Sequence, residues 1–296
     1  MTILLSAGAG RGAIRHSRQF LDAFVRSRGI VPTIHVIRRG EEIARLVEQA
    51  LKGGEKLIVA GGGDGTVSAV AGALAGSEAA LGVLPLGTLN HFAKDLGIPI
   101  DLEAAARLLL TGRIARVDVG EVNGRVFLNN SSLGLYPAAV VERDRKRRVG
   151  WNKWVALAWA AANLFRRMPL WSVRLETEGD ETERLTPFVF VGNNEYRFEP
   201  PSFGARTRLD AGMLWVYVAP HRPSRLHMLR LAVLALVGRL RDDKDFFIAQ
   251  AAEFRVETAR KHLRVSLDGE VVRMAPPLEY RIRPLALDVV VPGPEE

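Results

Sequence analysis

The stretch Leu57-Ile58-Val59-Ala60-Gly61-Gly62-Gly63-Asp64-Gly65-Thr66 carries the strongest fold signal in the chain. Residues 56–60 are mostly apolar and rich in Ile and Val, which predicts a strand buried inside a sheet. Residues 61–65 predict a glycine turn, and residues 66–74 predict a helix that begins directly after it. A strand that turns through glycines into a helix is typical of α/β proteins, where the first helix amides form an anion site.

An acidic residue inside this turn suggests a cation as well as a phosphate. The consecutive glycines allow a close approach to a ligand and positive φ angles, and Thr66 can cap the helix or contact phosphate. Asp64 would repel phosphate unless a cation lies between them, and oxygen ligands together with phosphates are typical of Mg²⁺. A simple strand–helix turn with Asp64 as N-cap is the alternative. No Gly-Lys-Ser/Thr follows, so the turn is not a Walker A loop.

Two further loops have the same setting. Gly8-Ala9-Gly10-Arg11-Gly12 follows a predicted strand over residues 2–7, and Leu84-Pro85-Leu86-Gly87-Thr88-Leu89-Asn90 follows one over residues 81–84. Ligands of open parallel sheets gather at the carboxyl ends of the strands, so we expect all three loops at one edge. The first loop is a flexible connection or a second phosphate contact. It is not Gly-x-Gly-x-x-Gly, and Arg38-Arg39 stands where a ribose-binding acid would, which argues against a dinucleotide dehydrogenase.

The pattern of apolar residues divides the chain into domains over residues 1–121 and 122–296. The first predicts an α/β domain with a parallel sheet, and the second a β-rich antiparallel domain whose last strand could pack back on the first. Predicted strands of the first domain are residues 2–7, 33–37, 56–60 and 81–84, and predicted helices are 16–27, 41–51, 66–74, 90–95 and 102–110. Predicted strands of the second are residues 126–129, 172–177, 187–191, 213–218, 253–258, 263–267, 271–274 and 286–291, with helices at 151–167 and 224–240.

Composition limits the classes of function. The 296 residues carry a formal net charge of +8, which favours anionic partners. The chain has no Cys, which excludes disulfides, Cys-ligated zinc, Fe–S clusters and thiol nucleophiles, and fits a reducing compartment. No segment reaches the roughly 18 uninterrupted apolar residues of a membrane span. We therefore expect a cytoplasmic protein.

The ordered set of short motifs resembles the diacylglycerol kinase catalytic family, which includes bacterial lipid kinases and sphingosine kinases. These motifs are Gly61-Gly62-Gly63-Asp64-Gly65-Thr66, Pro85-Leu86-Gly87-Thr88-x-Asn90-x-Phe92-Ala93, Val117-Asp118-Val119-Gly120, Phe127-Leu128-Asn129-Asn130-Ser131, Val191-Gly192-Asn193-Asn194, Leu209-Asp210-x-Gly212 and Leu267-Asp268-Gly269-Glu270. Each motif alone is weak, but their order spans nearly the whole chain.

The resemblance implies a Rossmann-like nucleotide domain followed by an antiparallel β-sandwich. It also implies transfer of the γ-phosphoryl group of ATP to a lipid hydroxyl, with Mg²⁺ as cofactor. Asp64 would organise the Mg²⁺ and Asp118 would support it, while Glu270 would be the general base. The nucleotide contacts that we expect are Gly8, Gly10, Arg38, Gly61, Gly62, Gly63, Asp64, Gly65, Thr66, Thr88 and Asn90. Without the family, residues 267–271 would predict a hairpin with an Asp-Gly turn.

Three positions depart from the family pattern. His91 stands where bacterial lipid kinases often have Asp. Ala211 stands where an Asp often binds a structural Mg²⁺, which leaves Asp210 as the candidate ligand. Arg38 replaces a nucleotide-contacting Thr and could hold phosphate or be solvated. These departures keep open a non-catalytic nucleotide- or lipid-binding protein, and the pair Asn194-Glu195 keeps open an NAD kinase.

Basic and aromatic residues suggest how the chain meets its substrate. The residues are Arg143, Arg145, Lys146, Arg147 and Arg148 before Trp151, Trp154 and Trp159, and Arg225, Arg230, Arg239 and Arg241 around Leu and Val. Such segments suit the surface of an anionic membrane, and a core-packing helix with a basic rim is the alternative. No basic–aromatic RNA motif occurs, so we expect no nucleic-acid partner. An exposed sheet edge could permit a homodimer.

Overall fold

The computed structural model describes residues 1–9, 11–134, 137, 170–177, 180–197, 204–236, 239, 244 and 246–293. The chain folds into two compact units. The first unit consists of Met1–Val119 together with Arg283–Glu296, and the second consists of Gly120–Ile282. In chain order, the second unit is therefore an insertion into the first.

The first unit alternates strands and helices. Its elements are β1 (Thr2–Ser6), a short 3₁₀ turn (Ala7–Ala9), α1 (Arg11–Arg26), β2 (Thr33–Ile37), α2 (Glu41–Lys52), β3 (Leu57–Gly62), α3 (Asp64–Leu74), β4 (Ala80–Pro85), α4 (His91–Asp95), α5 (Leu102–Thr111) and β5 (Arg113–Val122), which ends in the second unit. Asp101 caps α5 by accepting a hydrogen bond from the Ala104 amide at 2.9 Å.

A parallel sheet forms the centre of the first unit. Its strands lie in the order β2-β1-β3-β4, and β4 pairs in parallel with the last strand of the chain, β16 (Leu278–Val291). β3 and β4 are almost entirely buried, as expected for strands covered on both faces. One apolar core joins the sheet to α1 and α5 through Ile3, Leu5, Leu21, Val59, Leu84, Ala105, Ala106 and Leu109. α2 and α3 pack against each other, and α3 packs on β3 and β4.

The second unit is rich in antiparallel strands. Its further elements are β6 (Arg125–Phe127), β7 (Asn130–Gly134), β8 (Trp171–Thr177), β9 (Asp180–Thr186), β10 (Phe188–Asn193), β11 (Leu214–Val218), α6 (Arg225–Leu236), β12 (Phe247–Ala251), β13 (Glu253–Glu257), β14 (Leu263–Leu267) and β15 (Glu270–Met274). One sheet has the order β12-β11-β10-β7-β14-β15, and another set of strands has the order β16-β13-β8-β9.

Side-chain alternation builds a β-sandwich in this unit. Val189 and Val191 of β10 are buried in a core that also contains Val256 of β13 and Leu278 of β16. The intervening Phe190 contributes instead to an aromatic cluster with Tyr196, Tyr217 and Phe246, which α6 joins through Leu231. The prediction of a Rossmann-like α/β unit and an antiparallel β-sandwich is confirmed.

Several predicted boundaries in the first unit are wrong. α1 begins at Arg11, not at residue 16, because the chain passes almost directly from the 3₁₀ turn into the helix. The predicted glycine turn over residues 61–65 is shorter, since Gly61 and Gly62 remain in β3 opposite Leu84 and Pro85 of β4.

The second unit differs from prediction at one turn. The strand predicted over residues 126–129 is present as β6, but its predicted end is wrong: β6 ends at Phe127 and β7 begins at Asn130. The reason is that the amides of Leu128 and Asn129 donate to the carboxylate of Asp268, both at 2.8 Å, instead of to a neighbouring strand.

Five strand regions lack a prediction: β5, β7, β9, β12 and the first half of β16. β9 is highly charged and lies at the edge of its sheet, where charged residues are common. The helix predicted over residues 224–240 is present as α6, and the one predicted over residues 151–167 lies outside the described residues. In the described part of the chain, no helix has the length and apolar character needed to cross a membrane.

Candidate functional site

Two loops of the first unit leave the sheet side by side. β3 and β4 run parallel, with Gly61 opposite Leu84 and Gly62 opposite Pro85. The turn after β3 therefore starts at the same sheet edge as the loop between β4 and α4. Since β1 and β2 lie beside β3 in the same parallel sheet, the loops after all four strands open at this edge.

Asn90 connects these two loops. Its backbone amide donates to Asp64 Oδ2 at 3.0 Å. Its buried side chain donates to the carbonyls of Pro85 and Gly87 at 3.2 and 3.0 Å, and its Oδ1 accepts from the Gly87 amide at 3.0 Å. The φ of 52° at Asn90 is left-handed, a conformation that Asn tolerates better than most residues. Asn90 thus shapes its own loop and aims the carboxylate of Asp64.

The glycines are needed for close packing inside the protein. A Cβ on Gly87 would lie 2.4 Å from the Cα of Gly63, so the two loop backbones touch. A Cβ on Gly62 would lie 2.8 Å from the Thr66 side chain, and one on Gly61 would lie 2.4 Å from Leu5 Cδ2. The expectation that these glycines also use positive φ is wrong, because neither Gly61, Gly62 nor Gly63 has a positive φ.

The N-terminus of α3 has no side-chain cap. The N-cap is Gly63, whose φ of −86° and ψ of 179° are extended, so the alternative of Asp64 as N-cap is wrong. The amides of Thr66 and Val67 donate to the Gly63 carbonyl at 2.9 and 3.1 Å. Asp64 and Gly65 are the first two residues of this 11-residue helix, so their backbone amides lie at the positive end of the helix dipole. This geometry can bind an anion.

The other predicted nucleotide contacts lie near the same edge. Thr88 is exposed in the loop between β4 and α4, and Arg38 is exposed directly after β2. Gly8 is exposed in the 3₁₀ turn after β1, with its amide 3.4 Å from Ser6 Oγ. Gly10 lies outside the described residues.

Asp118 is buried and supports the last strand of the first unit. Only 1% of the residue is exposed, and its Oδ1 accepts a hydrogen bond from the Leu285 amide at 2.8 Å. Leu285 has a positive φ of 49°, which marks an irregular point within β16. The carboxylate therefore stabilises a strained backbone position, whatever it contributes to a metal site.

Glu270 follows a tight turn in the second unit. Asp268 and Gly269 have φ angles of 47° and 87° and connect β14 to β15 as a two-residue hairpin. The prediction of an Asp-Gly turn is confirmed. Glu270 is exposed at the first position of β15, where it pairs with Leu267, so its side chain is available to solvent and ligands.

Asp210 and Asn194 have structural partners. Asp210 Oδ1 accepts from Arg208 Nε at 3.0 Å, and its side chain is 48% exposed. The Ala211 amide donates to Oδ1 of the fully buried Asn194 at 3.0 Å. Among the described residues, no three His, Asp or Glu side chains are grouped as a metal site.

The donors near Asp64 fit a cation that arrives with a nucleotide. Mg²⁺ usually keeps several waters and binds through one or two carboxylates together with substrate phosphates. Asp64 supplies one carboxylate beside the uncapped N-terminus of α3, and its Oδ2 is oriented by Asn90. Asp64 with the phosphates, and not a protein cage, would therefore hold the ion.

Comparison with known proteins identifies the family. Residues 1–122 match the model of the diacylglycerol kinase catalytic domain, and residues 136–291 match that of the YegS C-terminal NAD kinase beta sandwich-like domain. A Pseudomonas aeruginosa protein named "Probable lipid kinase YegS-like" is 33% identical over 256 residues, which cover 84% of this chain and 81% of that protein. The chain belongs to the YegS-like lipid kinase family.

A second relative agrees with this assignment, and solved structures share the fold. A Pseudomonas putida protein of the same name is 30% identical and is matched over 95% of this chain and 94% of its own. A crystal structure of a diacylglycerol kinase from Bacillus anthracis str. Sterne has a TM-score of 0.68 at 22% identity, with 99% of this chain and 97% of that chain covered. Another structure from the same organism reaches a TM-score of 0.75 at 21% identity, with 99% and 96% covered. The family consists of kinases with an alcohol acceptor, so the prediction of an enzyme is confirmed.

One residue near the Asp-Gly turn had no signal in the sequence. Arg206 is 6% exposed and donates to the Leu128 carbonyl and to Asn129 Oδ1 at 2.6 and 2.7 Å. It lies outside every motif quoted above. Its burial depends on contacts with distant segments, which a single sequence does not display.

Proposed function

We propose that this protein transfers the γ-phosphoryl group of ATP to the hydroxyl of a diacylglycerol-like or sphingoid lipid. The observation that carries the proposal is the hydrogen bond of 3.0 Å from the Asn90 amide to Asp64 Oδ2. It joins an acidic residue, an uncapped helix N-terminus and the loop of Thr88 at one sheet edge, a combination suited to a triphosphate.

The first unit would bind the nucleotide. Amides at the start of α3 would donate to phosphate oxygens, Thr88 would add a hydroxyl, and Arg38 a positive charge. Asn90 would act through the loop that it shapes, since its side chain already bonds to Pro85 and Gly87. When bound, Mg²⁺ would neutralise negative charge on the phosphates.

The second unit would supply the base. In the transfer, a bond forms between the lipid oxygen and the γ-phosphorus, and the bond from that phosphorus to the bridging oxygen of ADP breaks. The hydroxyl proton passes to the carboxylate of Glu270. A carboxylate suits this step because the attacking oxygen becomes more acidic as the new bond forms.

The proposal places the protein in the cytoplasm, peripherally attached to an anionic membrane and with no nucleic-acid partner. α6 supports it, because Leu226, Leu229 and Val233 are 76, 53 and 51% exposed and lie on one helix face. Exposed Arg225 and Arg230 lie on the same helix. Apolar side chains beside cations suit the interface of an anionic bilayer.

A homodimer through an exposed sheet edge remains part of the proposal.

The two alternatives are less well supported. The pair Asn194-Glu195 suggested an NAD kinase, but Asn194 is fully buried and holds the Ala211 amide, which explains it structurally. A non-catalytic protein would need neither the oriented carboxylate of Asp64 at the start of α3 nor the exposed carboxylate of Glu270.

The test is incubation of the protein with γ-labelled ATP, Mg²⁺ and a total lipid extract, followed by mass spectrometry of the labelled lipids. We expect a labelled phospholipid with the wild type and a loss of roughly a hundredfold or more with Asp64→Asn. Glu78→Gln, which changes an exposed carboxylate paired with Lys56, is the matched control and should retain the wild-type rate.

Each negative result has a distinct meaning. Labelled NADP from added NAD, without a labelled lipid, would favour the NAD kinase. Nucleotide binding without turnover, unchanged by Glu270→Gln, would favour the non-catalytic protein. Equal activity of the wild type and Asp64→Asn would remove the proposed role of the carboxylate.

A further inference from the structure

One carboxylate accepts hydrogen bonds from all three backbone amides of the segment Leu128–Asn130, which connects β6 to the start of β7. Asp268 accepts hydrogen bonds from the amides of Leu128 and Asn129 at 2.8 Å and of Asn130 at 3.0 Å. The amide of Asp268 donates to the Asn130 carbonyl at 2.9 Å. Four hydrogen bonds thus fix the turn between β14 and β15 to this segment.

A buried guanidinium holds the same segment on its carbonyl side. Arg206 Nη1 donates to the Leu128 carbonyl at 2.6 Å, and Nη2 donates to Asn129 Oδ1 at 2.7 Å. Nη1 also donates a hydrogen bond to the Asn193 carbonyl at 3.2 Å. Because only 6% of Arg206 is exposed, these bonds replace water that the guanidinium has lost.

One peptide unit connects the two charges. The carbonyl of Leu128 accepts from Arg206, while the amide that shares this peptide bond, that of Asn129, donates to Asp268. The peptide dipole is therefore aligned between a cation and an anion, and each charge strengthens the bond of the other. Charge-assisted bonds of this kind are roughly twice as strong as neutral ones.

The turn that this arrangement fixes leads straight to Glu270. Asp268 and Gly269 form the hairpin turn, and Glu270 is the next residue, paired with Leu267. The direction of the Glu270 side chain thus depends on a backbone whose position Asp268 determines. Leu267 also pairs with Ser131 of β7, so the segment and the hairpin belong to one sheet.

We propose that Arg206 and Asp268 are a coupled pair of positioning residues that act through the Leu128–Asn129 peptide to orient Glu270. The pair does not touch substrate in this assignment. Its effect on turnover rests on the proposed function of Glu270 as the base.

The experiment compares Arg206→Lys, Asp268→Asn, the double variant and the wild type. Lysine keeps the positive charge but cannot donate in the same fork to Leu128 and Asn129. We expect kcat to fall roughly tenfold to a hundredfold for each single variant, with KM for ATP changed by less than about twofold. Because the residues act as one unit, the double variant should lose little more than either single variant. Arg264→Lys, an exposed substitution on β14, is the matched control and should keep kcat.

A second background separates positioning from general destabilisation. In a Glu270→Gln protein, Arg206→Lys should change the residual rate by less than about twofold, since the group that it positions is gone. Amide hydrogen exchange at Leu128–Asn130 should be faster in both single variants than in the wild type and the Arg264→Lys control.

Three results would overturn the proposal. The first is an unchanged kcat in both single variants, and the second is a fall in the residual rate of the Glu270→Gln protein on adding Arg206→Lys as large as the fall in the wild-type background. The third is an unchanged rate of amide exchange at residues 128–130. If the wild type transfers no phosphoryl group, the proposed function fails. The coupling is then judged by hydrogen exchange alone, where additive effects in the double variant would reject it.

Discussion

Asn90 is the residue on which the loop between β4 and α4 depends. Asn90→Ala removes three side-chain hydrogen bonds and places Ala in a left-handed conformation, so we expect a loss of about 2 kcal/mol in the free energy of unfolding. Phosphoryl transfer should fall more than stability explains, because the loop that places the Asn90 backbone amide against Asp64 loses its side-chain hydrogen bonds. Denaturant unfolding and ATP turnover measure the two effects.

Asn90→Gly is the control for backbone strain. Glycine accepts the left-handed φ without cost but makes no side-chain bonds. If the glycine variant recovered full turnover, strain and not hydrogen bonding would explain the effect of alanine, and the role given to the Asn90 side chain would be wrong.

Gly87 tests the contact between the two loops. In Gly87→Ala, the added Cβ would lie 2.4 Å from the Gly63 Cα, and backbone atoms cannot move aside as a flexible side chain can. We expect about 1–3 kcal/mol of destabilisation and weaker nucleotide binding, measured by thermal unfolding and by titration with ATP. Gly40→Ala is the control, since Gly40 has helical angles and open space around its Cβ position. Equal behaviour of the two variants would contradict the packing argument.

Tyr280 couples the stability of the second unit to alkaline pH. Burial raises the pKa of its hydroxyl above the ordinary value of 10.0, although the hydrogen bond with Ser131 opposes this shift. Above about pH 10 the unfolded chain releases this proton while the folded chain keeps it, so stability is full below that pH and falls as pH rises. Tyr280→Phe keeps the ring stacked 4.6 Å from Phe254 and removes the titration.

We therefore expect Tyr280→Phe to lower the free energy of unfolding by about 1 kcal/mol at neutral pH, through the lost bond to Ser131. As the pH rises, the free energy of unfolding should fall less steeply in the variant than in the wild type. Urea unfolding from about pH 8 to about pH 11 measures both effects. Parallel pH dependence in the two proteins would show that Tyr280 does not contribute to alkaline unfolding.

α6 is the element whose outer face distinguishes membrane binding from core packing. Replacing Leu226, Leu229 and Val233 by Gln should reduce binding to vesicles of anionic phospholipid roughly tenfold or more, because these exposed side chains can enter the bilayer interface. Vesicle sedimentation measures the binding, and circular dichroism shows whether the fold persists. Val31→Gln and Ile114→Gln, at exposed apolar positions of the first unit, are the controls. Undiminished binding of the triple variant would exclude this face.

Strands could be predicted from the sequence where burial determines their composition. β3 and β4 are buried on both faces and are mostly apolar, whereas β9 is highly charged and resembles a loop. The first half of β16 alternates apolar and charged residues, which is a strand signal that the prediction over residues 286–291 did not include. The residues of the candidate site could likewise be predicted only where a local sequence pattern marks them. The glycines and Asp64 form a local pattern, but Arg206 is defined by Leu128 and Asn129, far away in the chain, and no local pattern reveals it.

The chain as a whole returns to its starting unit at its end. After Ile282 the polypeptide leaves the second unit, and the second half of β16 completes the sheet of the first. The Gly76 amide donates to the Ala286 carbonyl at 2.7 Å, and the Leu285 amide donates to Asp118. The first unit therefore cannot be complete until residues 283–291 have been synthesised.

A truncation after Ile282 should consequently unfold the first unit and spare the second. It removes Leu287, Val289, Val290 and Val291, all at most 4% exposed, and each loss costs roughly 2 kcal/mol. Together they approach the whole stability of a typical domain, about 5–15 kcal/mol. Calorimetry should show one unfolding transition lost, and proteases should cut first within residues 1–119. A chain that ends at Gly293 keeps β16 and should behave as the wild type. Two intact transitions after truncation at Ile282 would mean that the first unit folds without its C-terminal strand.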